Sequence, residues 1–181
     1  MRVRLERPSA RRQREYLAAV GRSRELHRGF VTTASTPAEY RDYLRRARRS
    51  NQESFFVMMA ASGELAGVVN INDIVRHSEQ SGRLGYYAFA PHAGAGLMAE
   101  GLALVIARAF GELGLHRLEA NIQPDNRPSI ALVRALGFRR EGVVRGYLKI
   151  GGRWRDHERW ALLKEDWRSG RNGQRRRAGA G

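Results

Sequence analysis

Between a strand-like run and an amphipathic helical run the chain reads Pro91-His92-Ala93-Gly94-Ala95-Gly96. A turn of small residues that opens a helix exposes backbone N–H groups at the positive end of the helix dipole, and glycine lets an anion approach the backbone closely. That chemistry suits a pyrophosphate, although a Gly-Ala-Gly segment also serves as an ordinary turn. No Gly-Lys-Ser/Thr follows, which argues against ATP or GTP chemistry. Further along, Asp156-His157 has the look of an acid–base pair, but strand neighbours point to opposite faces, so at most one of them enters a common cleft. There is no cysteine, which excludes a disulfide scaffold, a Cys-based zinc site and a cysteine nucleophile.

The elements that must position these groups follow from hydrophobic patterning. Arg2 to Leu5 reads as a first strand, and Pro8 marks a turn before a helical stretch over Arg11 to Val20. Thr36-Pro37-Ala38-Glu39 is a helix start, with Thr36 capping, Pro37 in the first turn and Glu39 closing a capping box; that helix is expected to run to about Arg49. Phe55 to Met59 and Ala66 to Ile74 flank a Ser62-Gly63 turn as a hairpin, and Gly82 to Ala90 is a third strand of that group. Leu102, Ile106, Ala109 and Leu113 recur as the stripe of a helix packed on a sheet. Leu118 to Ile122 is a strand, Arg127 to Ala135 a helix ended by Gly137, and Phe138 to Val144 and Glu158 to Leu163 are further strands. Strands alternating with packed helices after an antiparallel hairpin imply an α/β fold, specifically an α+β mixed sheet with helices on its faces. The leading hairpin argues against a dinucleotide-binding half.

The length of 181 residues suits one domain, expected over 1–167, with a basic, structureless tail over 168–181 that lacks apolar periodicity. Basic residues outnumber acidic ones by 15, and 31 of the 33 are arginine. The excess is peripheral: +9 over residues 1–49, +2 over 50–163 and +4 over 164–181. Such a periphery can hold RNA, a ribosome or an anionic ligand through a salt-sensitive attraction, or simply form solvated helix faces, as the spacing of Arg41, Arg45, Arg48 and Arg49 suggests. The longest apolar run, Phe55 to Ala61, is far too short to span a bilayer, and no signal-peptide core opens the chain, so a cytoplasmic location is expected.

A set of motifs then follows at consistent distances: Gly85-Tyr86, Gly94-Ala95-Gly96-Leu97-Met98, His116-Arg117, Ala120-Asn121, Asn126, Leu136-Gly137-Phe138, Tyr147-Leu148 and Trp154-Arg155-Asp156-His157. Together they resemble the Gcn5-related N-acetyltransferase (GNAT) family, within it the group that acetylates the N-terminal alanine of ribosomal proteins. The resemblance covers roughly Phe55 to Trp167.

It implies a mostly antiparallel sheet splayed at the cofactor strand, acetyl-CoA as co-substrate, and no metal. The family's pyrophosphate loop falls on Ala93 to Met98, so Gly94, Ala95, Gly96, Leu97 and Met98 are expected to bind the cofactor through backbone amides. This chain departs from the pattern at Ala93, where the family has Arg or Gln, and at Met98, where it has a small residue. The backbone at Phe89 and Ala90 is expected to hold pantetheine and polarise the thioester carbonyl, and Asn126 to touch the cofactor. Ser129 matches a serine proposed as acid in relatives, and reads equally as a helix cap. Glu119 can act as a base through water, and reads equally as a salt-bridge partner. Some relatives carry a glutamate base where this chain has Leu148. Asn70, Tyr147, Trp154 and Asp156 are the expected acceptor-binding residues; Asn72 can join them or, like Asn70, end a strand, and either Asp156 or His157 can transfer a proton. The implied activity is acetyl transfer to a primary amine, a protein N-terminus such as that of a ribosomal protein, by a monomer or homodimer without a membrane partner. A small amine such as an antibiotic or polyamine, and a non-catalytic RNA- or ribosome-binding role, stay open.

Overall fold

Seven strands form one sheet in the computed structural model, which describes residues 1–167; the tail expected over 168–181 lies outside the described residues. In chain order the elements are β1 (Val3–Glu6), α1 (Gln13–Arg22), α2 (Arg24–His27), α3 (Pro37–Arg46), β2 (Glu53–Met59), β3 (Leu65–Val75), β4 (Ser81–Ala88), α4 (Leu97–Gly111), β5 (Arg117–Ile122), α5 (Arg127–Ala135), β6 (Arg139–Ile150) and β7 (Arg153–Leu163). Their spatial order is β1-β2-β3-β4-β5-β7-β6. Every neighbouring pair is antiparallel except β4 and β5, which run parallel and therefore need a crossover, supplied by α4.

Period-two alternation along β2 divides the interior in two. Phe55 and Val57 join Leu102, Val105 and Ile106 of α4 on one face, while Phe56 and Met58 join Tyr16 of α1 and Tyr40 and Tyr43 of α3 on the other. Helices on both faces leave the middle of β2 buried on both sides, and Phe55 to Met59 is accordingly an unbroken apolar run. The capping box at α3 is present: Thr36 Oγ1 accepts from the Glu39 amide at 3.2 Å and the Glu39 carboxylate accepts from the Thr36 amide at 3.0 Å.

Three expectations are corrected. Helix α3 stops at Arg46 rather than about Arg49, because Leu44 is its last buried residue and the arginines beyond have no core to pack on. Leu113 lies past the end of α4, in the turn before β5, and is only partly buried. The last two strands are much longer than Phe138 to Val144 and Glu158 to Leu163. Ile150 pairs with Arg153 across a two-residue Gly151-Gly152 turn whose φ values, +57° and +78°, are those a tight hairpin requires and side chains resist.

Candidate active site

The parallel pairing of β4 with β5 stops at Leu84 and Ala120, yet β4 stays paired with β3 as far as Ala88 and β5 with β7 as far as Ile122. The two strands therefore diverge, and a cavity of about 470 Å³ opens in the gap. Residues from both sides of the sheet meet there: Leu84 and Tyr86 from β4, Ala120 and Asn121 from β5, Asn126 and Ser129 at the start of α5, and Tyr147 and His157 from the long hairpin.

Asn126 caps α5, its Oδ1 accepting from the Ser129 amide at 3.3 Å; this leaves the Ser129 hydroxyl free of capping. That hydroxyl instead lies 2.6 Å from the Tyr86 hydroxyl. Burial pushes the Tyr86 phenol up to about 12, so it stays protonated and the pair holds exchangeable protons beside the gap. On the opposite wall Asn121 Nδ2 donates to the Tyr147 hydroxyl at 3.4 Å, and Asn121 Oδ1 is sealed without a partner. His157 is buried, edge-on to the Tyr147 ring at 5.6 Å between centroids. A carbonyl can only accept, so its 3.0 Å contact with the Arg155 oxygen fixes the proton on Nδ1. Burial holds this imidazole below the ordinary histidine range, hence neutral near pH 7.

Two bulges bend β6 on its way past the gap, one between Val144 and Leu148. Asp156 Oδ1 accepts from the Gly146 amide at 2.7 Å inside that bulge, where Gly146 has φ +54°. Asp156 thus braces the turn that carries Tyr147 rather than lining the cavity, which corrects its expected place on the acceptor. Trp154 is 67% exposed at the hairpin end and does not line the cavity. Asn70 accepts from the Tyr43 hydroxyl at 3.3 Å and is tied to α3; Asn72, two residues on, lines the cavity instead. Glu119 has the salt-bridge surroundings that the alternative reading expects. Its Oε1 accepts from Arg117 Nε and Nη2 at 3.0 and 2.9 Å, its Oε2 lies 3.8 Å from Arg159, and it does not line the cavity.

The strand backbone differs by one residue from expectation. The Phe89 amide donates to the Ala66 carbonyl at 2.8 Å and the Ala90 amide to Ser23 Oγ at 2.9 Å, so neither amide is free for a ligand. Antiparallel alternation with Phe89 turned toward β3 puts the amides of Tyr86 and Ala88 on the gap side, beyond the last β5 partner. The Ala88 carbonyl accepts from His27 Nε2 at 2.8 Å. At the far end of β4, Gly94 and Gly96 have φ of +80° and +78°, and Gly96 caps α4. The first amides of a helix have no intrahelical carbonyl, so they stay available to an anion. Leu97 and Met98 bury their side chains, leaving only backbone at the loop. Met98 can replace a small residue because its sulfur fills the space above Gly67, where a Cβ would collide with it. Arg2 donates to the Ala95 carbonyl at 3.1 Å and pairs with Glu100, bringing a guanidinium to a loop that lacks one of its own. Among the described residues no group of three or more His, Cys, Asp or Glu side chains is placed to hold a metal, and no helix is long and apolar enough to cross a membrane.

A splayed parallel strand pair with a glycine-rich helix start is the geometry the sequence resemblance implies, and the acetyltransferase (GNAT) domain model matches residues 2–139. The chain belongs to the GNAT acetyltransferase family. A probable N-acetyltransferase of Bacillus subtilis, YjcK, is 36% identical over 137 residues, 76% of each chain. The ribosomal protein uS5-alanine N-acetyltransferase of Escherichia coli is 41% identical over 108 residues, covering 60% of this chain and 56% of that enzyme. Among solved structures, Mycobacterium smegmatis RimJ in complex with CoA-disulfide superposes with a TM-score of 0.82 at 25% identity, covering 90% of this chain and 82% of that one. As a GNAT protein this chain is an acetyl-CoA-dependent N-acetyltransferase.

Tyr86 and Asn121 line the cavity without a role in the sequence reading, whereas Asn72, a candidate acceptor contact, and His157, a candidate for proton transfer, line it as well. Alternation along β7 puts His157 and Asp156 on opposite faces, and the bulge between Val144 and Leu148 separates them from the register set at the Gly151-Gly152 turn.

Proposed function

We propose that this acetyltransferase acts on the α-amine of a protein N-terminus, a ribosomal protein being the favoured acceptor. The composition of the cavity carries the reading. Its charged residues are Asp73, Arg83 and Lys149; the first two pair at 3.2 Å, and no second carboxylate lines it. A polyamine needs several carboxylates to offset its charges, whereas a single ammonium finds an uncharged acceptor in His157. The relative from Escherichia coli that modifies an alanine of uS5 supports the same acceptor.

Catalysis in this reading is mainly placement. The thioester lies along β4, where the gap-side amides of Tyr86 and Ala88 replace those of Phe89 and Ala90 as donors to the carbonyl oxygen and stabilise the tetrahedral oxyanion. The pyrophosphate sits on the amides from Gly94 to Met98, and Asn126 contacts the cofactor from the start of α5. The neutral amine attacks directly, with its nearness in the cleft lowering the barrier. Ser129, coupled to Tyr86, supplies the proton to the departing thiolate.

Thiol release from acetyl-CoA tests the reading with three acceptors: a peptide with a free N-terminus, the same peptide N-blocked but carrying lysine, and spermidine. The free N-terminus is expected to turn over fastest, by about tenfold or more. Faster turnover of spermidine or of the blocked peptide overturns it.

A further inference from the structure

We propose that His157 Nε2 removes the proton from the incoming α-ammonium, which makes His157 the base absent at Leu148. The inference rests on the N-terminal amine reading of the site and adds the residue that selects such an amine.

The geometry has three parts. The tautomer is set from behind, because Nδ1–H donates to the Arg155 carbonyl and leaves the Nε2 lone pair available. His157 lines the cavity, and among the described residues no hydrogen bond reaches its Nε2. Asn121 belongs to the same face. Its register partner on β7 is Arg159, His157 is two residues further along that strand, and Tyr147 joins them, bonded to Asn121 and stacked edge-on to His157. Asn121 Oδ1 is sealed from the cavity, so the acceptor offered to an ammonium there is His157 Nε2.

The proton balance is complete. The ammonium gives one proton to Nε2, forming imidazolium, and the neutral amine adds to the thioester carbon. As the C–S bond breaks, the nitrogen's second proton and the thiolate's new proton balance through Tyr86 and Ser129, and the imidazolium releases its proton to solvent. Selectivity follows from acidity. An α-ammonium loses its proton near pH 7.7–8.0 and a lysine ammonium near 10.4, so a weak base finds the α-amine deprotonated about 400-fold more readily. The charged or titratable groups around His157 are Tyr147 and Lys149 on β6, Asp73 and Arg83 at the cavity wall, Glu119 paired to Arg159, and Asp156 and Glu158 on its own strand.

The test compares His157→Asn and His157→Gln with the wild type on two acceptors, an N-terminal peptide and an alkoxyamine already neutral at pH 7. For the peptide, kcat/KM is expected to fall by about 100- to 10,000-fold, and the limb of its pH profile below 6.5 to disappear; for the alkoxyamine the fall is expected to stay under about threefold. CoA affinity, measured by calorimetry on both variants, is expected to be unchanged, which also reports that they fold. Equal losses on both acceptors, or no loss on the peptide, overturn the proposal. If the wild type ignores N-terminal peptides but turns over another alkylamine, the N-terminal reading fails while the same comparison on that amine still decides the role of His157. Absence of turnover with every amine overturns both.

Discussion

Tyr86 and Ser129 are 43 residues apart in sequence and 2.6 Å apart in the fold. The contact converts a serine that could have capped its helix into a hydroxyl aimed at the strand gap, because Asn126 already supplies the cap. Ser129→Ala is expected to lower kcat for acetyl transfer by about ten- to a hundredfold with CoA affinity retained, since it removes a proton donor rather than a binding contact. Thiol-release kinetics alongside calorimetry check this, and a matching loss of affinity would count against the assignment. Residue identity alone could nominate Ser129 but not its partner, and it could not show that Glu119 is held by two guanidinium groups. A carboxylate on a strand becomes a base only if no guanidinium reaches it first, and Arg117 and Arg159 both do. Asp156 shows the same limit: its type suggests an acceptor contact, whereas its backbone partner makes it the brace of a bulge.

At the scale of elements, the loop before α4 combines two positive-φ glycines with a buried Leu97-Met98 start, so only backbone is presented. Gly96→Ala puts a methyl 3.2 Å from Arg2 Nη2 at a φ that side chains resist, at a cost of about 1 kcal/mol. CoA affinity is expected to fall by roughly three- to tenfold for that reason, read by calorimetry; an unchanged value in a folded variant would refute the loop assignment. The join of β1 to the first helical turn has its own signature. Hydrogen bonds from Arg12, then from Arg4, hold the Glu6 carboxyl down to about 2 against the cost of burial. A depressed carboxylate contributes stability above its ordinary value of 4.5 and loses it as the pH falls toward 2. Denaturant midpoints are expected to drop across that window, and Glu6→Gln to flatten the drop. Element existence was legible because long apolar stripes and the Thr36 box carry it. Lengths were less so, since a helix ends where its core contacts end and a hairpin extends as far as its turn geometry allows.

For the molecule as a whole, the charge and the site pull apart. The basic excess lies outside a core that is close to balanced, so it acts on partner encounter rather than on chemistry. A positive enzyme and a basic ribosomal protein repel unless RNA lies between them. Acetylation of an N-terminus presented on a ribosomal particle is therefore expected to weaken by roughly tenfold or more between 50 and 200 mM salt. For a short neutral peptide the change should stay within about twofold. Equal salt responses would remove the electrostatic role. The sequence by itself determined the family, the glycine-rich turn before α4, the alternation of sheet and helix and the location of the charge, because each is written in local spacing or composition. Only the tertiary structure decided which strand amides face the gap, which carboxylates are spent in ion pairs, and that Asn121, Tyr147 and His157 share one cavity. Those facts depend on strand register and on where β4 and β5 part, and register is a relation between segments that no single segment encodes.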